Sequence, residues 1–150
     1  MFTITPIGIE AVIKSLKSLK QKASDLTPVM EQIGNFIKNR TELSFEEQKS
    51  PFGEKWIPSK RAEKNNDLTL IDTGSLSTSI TYSANKDSVQ VGTNLIYAPI
   101  HQFGGKAGRG KTAVIPSRPF LPITQEGEMP EEVIKSIVNI ISKQFTSPSS

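Results

Sequence analysis

A chain of 150 residues, 35% hydrophobic and 22% charged, suffices for one ordinary domain around a single core and leaves little room for two. It has no cysteine, which excludes disulfides and thiolate metal sites, and its net charge of +3 is too small to argue for nucleic acid from the total alone. The opening Met1-Phe2-Thr3-Ile4-Thr5-Pro6 lacks a basic region with an apolar core behind it, and no apolar run approaches the roughly 20 residues that span a bilayer, so the expectation is a protein kept in the cytoplasm where it is made.

Ile7, Ile9, Val12, Ile13, Leu16 and Leu19 recur at helical spacing with Lys14, Lys17, Lys20 and Lys22 mostly between them, the pattern of an amphipathic helix. Thr27-Pro28 offers an N-cap and a first-turn proline to a second helix. Its stripe is Val29, Ile33, Phe36, Ile37 and Arg40 toward Leu43 and Phe45, with Gly34 a slight weakness. The short Ala23-Ser24-Asp25-Leu26 link predicts that the two form an α-hairpin arm over 1–48.

Ser50-Pro51-Phe52-Gly53 breaks the helix, and Lys55-Trp56-Ile57-Pro58 is extended because a residue before proline avoids the α region. Arg61 to Asp67 is strongly polar and reads as a mobile surface loop. Asp72-Thr73-Gly74 reads as a turn in which Asp72 caps a short segment starting near Ser75. Ser79 to Ser83 and Ser88 to Gly92 alternate across Ala84-Asn85-Lys86-Asp87, a β-hairpin. Tyr97 to Phe103 makes a short helix ended by Gly104-Gly105, followed by a glycine-rich basic loop to Lys111, a strand over 112–115, and a stiff exit through Pro116, Pro119 and Pro122. Met129-Pro130-Glu131-Glu132 opens a C-terminal helix over 129–145, apolar at Val133, Ile134, Ile137, Val138, Ile140, Ile141 and Phe145. The fold class is α+β: an N-terminal α-hairpin and a C-terminal helix packed on a small, mainly antiparallel sheet, with a β-rich core over 50–123.

His101 is the only histidine, and Asp72, Ser75 and Ser77 complete a triad only in name, because their spacing matches no nucleophile elbow. The plainer expectation is a ring nitrogen of His101 bonded to loop backbone, fixing the following turn. One histidine among scattered carboxylates has no metal-ligand spacing. Gly105, Gly110, Lys111 and Thr112 match the phosphate-loop pattern letter for letter. A working phosphate loop needs a buried strand before it and a helix after it, whereas a helix precedes and a strand follows here. No catalytic residue and no cofactor is assigned. Lys106, Arg109 and Lys111 lie in a stretch without an acid between Gly104 and Pro119, suited to solvent, an acidic protein surface or DNA phosphates. Trp56, Tyr97, Phe103 and Phe120 read as core anchors.

Taken in order, Trp56-Ile57-Pro58-Ser59, Leu70-Ile71-Asp72-Thr73-Gly74-Ser75-Leu76, the Val91-Gly92-Thr93-Asn94 hairpin end, Tyr97-Ala98 with Ile100-His101-Gln102-Phe103-Gly104-Gly105, and Ile115-Pro116-Ser117-Arg118-Pro119-Phe120-Leu121 resemble the phage virion morphogenesis family of tail completion proteins. Ser75 departs from the pattern, in which a basic residue often follows Thr-Gly. The resemblance implies a non-enzymatic structural protein of a tailed phage or prophage that completes the tail or joins it to the filled head. It further implies a cyclic ring of copies at the head-tail interface or tail end, meeting connector, neck and tail proteins. Under it, Trp56, Asp72, Thr73, Gly74, Leu76, Tyr97, His101, Phe103, Gly104, Gly105, Pro119 and Phe120 form the structural motif. Lys106, Arg109, Lys111 and Arg118 are candidate partner contacts, Arg118 either forking onto a carboxylate or bracing the loop internally. The rival reading, motivated by a pI near 9.2, is a small DNA-binding protein using the basic loop.

Overall fold

The computed structural model describes residues 4–65, 68–70, 75–108, 110 and 113–146. Among them the elements run α1 (Glu10–Lys20), α2 (Thr27–Glu47), α3 (Lys60–Asn65), α4 (Ser75–Thr78), β1 (Thr81–Ala84), β2 (Val89–Gly92), α5 (Ala98–Phe103), β3 (Gly105–Ala107), β4 (Ala113–Ile115) and α6 (Glu131–Thr146), an α+β fold. The strands form two separate antiparallel pairs instead of one sheet: β1 with β2, Tyr82 opposite Val91, and β3 with β4, Lys106 opposite Val114. No helix among the described residues is long and apolar enough to cross a membrane.

The helical stripes bury as their spacing requires. Val12 and Leu19 of α1, Val29, Met30 and Ile33 of α2, and Val133, Ile137 and Ile141 of α6 make one cluster, with Leu26 below it. Helix α6 lies against both α1 and α2, so the two N-terminal helices are held through a third. Of the expected stripe, Ile9 and Leu16 also pack against this cluster, whereas Ile7, which precedes α1, and Ile13 are 52% and 44% exposed. Thr27, expected as the N-cap, is the first residue of α2 and Leu26 stands at the cap; the Asp25 carboxylate accepts from the Thr27 hydroxyl at 2.6 Å and N–H at 2.9 Å, bonds that hold its pKa below the ordinary value. Gly34 is a contact point. A Cβ there would stand 2.6 Å from Tyr82 Cδ2 and 2.8 Å from Val89 Cγ2, so the missing side chain lets the β1–β2 hairpin lie against the helix.

Further along α2 the buried face turns small and polar at Thr41 and Ser44, then apolar again at Phe45. Phe45 belongs to a second cluster with Trp56, Leu76, Ile80, Ala98, Phe120 and Leu121. The single core expected from chain length is thus divided in two, joined by a helix that passes through both.

Two expectations for the connections are corrected. Residues 61–65 of the predicted loop belong to helix α3, because the Ser59 hydroxyl accepts the Ala62 N–H at 3.1 Å and Ala62 is buried. Asn66 and Asp67, at its end, lie outside the described residues. The basic loop begins as strand β3, since Gly105 to Ala107 pairs with Ala113 to Ile115 and makes a hairpin.

Candidate functional site

Helix α5 organises the second cluster. Ala98 and Gln102 are one turn apart and fully buried, so this face points into the core. The Gln102 side chain is saturated: Nε2 donates to the carbonyls of Leu121 and Ile123, both at 3.1 Å, while Oε1 accepts from the N–H groups of Phe120 at 3.1 Å and Leu121 at 3.0 Å. An amide side chain alone offers two donors and two acceptor lone pairs in this geometry, and it satisfies an irregular backbone that no strand pairs.

The exit segment is clamped from three further sides. Trp56 Nε1 donates to the Pro119 carbonyl at 2.8 Å, and its ring meets Phe45 edge-on at 5.5 Å. Phe45 also faces Phe120 at 5.3 Å. The Arg118 N–H donates to the His101 carbonyl at 2.7 Å, and Ser117 Oγ to the Gln102 carbonyl at 2.8 Å. Arg118 itself is buried. Its Nε donates to the Ile57 carbonyl at 2.6 Å, so the guanidinium braces the motif internally instead of reaching outward as a partner contact. Burial moves its pKa below the ordinary arginine value.

Gly104 closes α5 with φ of +77° and its N–H on the Ile100 carbonyl at 2.7 Å. A Cβ would stand 2.9 Å from both the Ile115 carbonyl and the Ser117 N–H, so the close approach of β4 needs glycine here. His101 differs from expectation. Its Nδ1 is buried without a hydrogen-bond partner among the described residues, and its main-chain carbonyl holds the exit. Burial, and then the Arg118 charge, lower its pKa from the usual 6.5. Tyr97, expected in the core, is 44% exposed and meets His101 edge-on at 5.9 Å; it lies one turn from His101, off the buried Ala98–Gln102 face.

The structure therefore brings Trp56, Leu76, Arg118, Pro119 and Phe120 together, with His101 and Gly104 beside them, although they span more than sixty positions of sequence. Phe103 is half-buried, and Gly105 and Lys106 are exposed on β3. Asp72, Thr73, Gly74, Arg109 and Lys111 lie outside the described residues. Two residues escaped the sequence reading of the site. Gln102 had a signal, a polar residue in phase with a buried alanine on the same helix. Gln48 had none: it takes φ of +58°, where glycine or asparagine is usual, and its amide joins the Phe45 and Thr69 carbonyls and the Thr69 N–H. Its own carbonyl accepts the Trp56 N–H at 2.9 Å.

The arrangement is a scaffold. Among the described residues no group of three or more His, Asp or Glu side chains could hold a metal. The phosphate-loop letters begin in a hairpin strand directly after α5, the inverse of the context that pattern needs. A model of the phage virion morphogenesis family matches residues 7–143. The chain belongs to that family. It is also 37% identical over 128 residues to the Mu-like prophage FluMu G protein 2 of Haemophilus influenzae, covering 85% of this chain and 88% of that protein. No solved structure matches it significantly. The span matched to the phage virion morphogenesis family includes the helical arm and α6 as well as the clamped exit.

Proposed function

We propose that this phage assembly protein completes the tail or joins it to the filled head, without catalysis, as one subunit of a ring. The observation that carries the reading is the clamped exit. The Trp56 indole, the Gln102 amide and the Arg118 Nε are spent on main-chain groups of the same chain, which builds a rigid block. A ring subunit needs such a block together with exposed segments that meet neighbours. Lys106 on β3 is exposed and open to connector, neck or tail proteins.

The test is disruption of the gene in its phage or induced prophage, with the lysate imaged by electron microscopy. DNA-filled heads beside unattached or malformed tails, rescued by the gene in trans, are the expected result. Normal infectious particles would overturn the reading. The rival DNA-binding function predicts that the isolated chain binds duplex DNA with a steep salt dependence.

A further inference from the structure

We draw no further inference here: the strongest candidate, the apolar surface patch of Ile96 and Tyr97 just ahead of α5, carries none because nothing in the structure shows what covers it.

Discussion

The two apolar clusters share α2 and are held by different means. The first is closed by side-chain packing among three helices, where any set of apolar residues of suitable volume at the right phase would serve. The second is closed by polar atoms: an indole N–H, a guanidinium Nε and a whole carboxamide, each bonded to a particular carbonyl or N–H of a segment without secondary structure. Packing tolerates substitution that keeps volume, whereas a donor in a fixed direction admits one residue type. This accounts for a recognisable motif over 56–121 and for helices legible only as periodicity on either side of it.

The comparison is broken most severely at Gln102. Gln102→Leu keeps approximate volume but strands the buried N–H groups of Phe120 and Leu121 and the half-buried Ile123 carbonyl, while the Leu121 carbonyl keeps the Ile123 N–H, and the expected loss is about 4 kcal/mol at the usual cost of unsatisfied buried polar atoms. Urea denaturation followed by fluorescence measures it, because the only tryptophan, Trp56, lies in this cluster. A loss below about 1 kcal/mol would mean that water replaces the amide. Ile141→Ala acts on the other cluster, where its side chain is fully buried, and should cost about 3 kcal/mol. Since α2 runs through both clusters, helical circular dichroism and Trp56 fluorescence should shift together in both variants; separated midpoints would show that the clusters unfold independently.

Gly34→Ala sharpens the view of the joint. Helix propensity favours alanine by about 1 kcal/mol, but the Cβ would press on the Tyr82 ring and Val89, so a net loss near 1 kcal/mol is expected. A stabilised variant would show that the β1–β2 hairpin yields. The smallest effect is that of pH. Because burial and Arg118 lower the folded-state pKa of His101, the unfolded chain binds the proton more readily. The contribution is present above the unfolded value near 6.5 and is lost as pH falls from there through the folded pKa. The urea midpoint should therefore drop between pH 7.5 and pH 5.5, assay values spanning about one unit on either side of an ordinary histidine. It should drop less in His101→Gln, and equal drops in the two proteins would remove His101 from the acid response.

The positions of α1, α2, α5 and α6, the first hairpin and the glycine stop of α5 were legible because each follows from a repeat or a turn residue close in sequence. The division of the core was not. It depends on Thr41 and Ser44, ordinary helix residues whose burial is decided by what lies opposite them. Tyr97 was misplaced for the complementary reason: aromatic character favours burial, but one step of helix phase separates it from the buried Ala98. Arg118 carried both of its possible roles in the sequence, and only the reach of Trp56-Ile57-Pro58 across the fold selects the inward one. Residues 61–65 looked like loop because they are polar, which also describes the solvent side of a short helix.

Helix α2 has 21 residues, about 31 Å at the usual rise, and its course is unbroken where one cluster gives way to the other. It works mechanically as an axle. A torque applied to the clamped block turns the three-helix bundle with it, and compliance is confined to the short hairpins and turns fastened along its length.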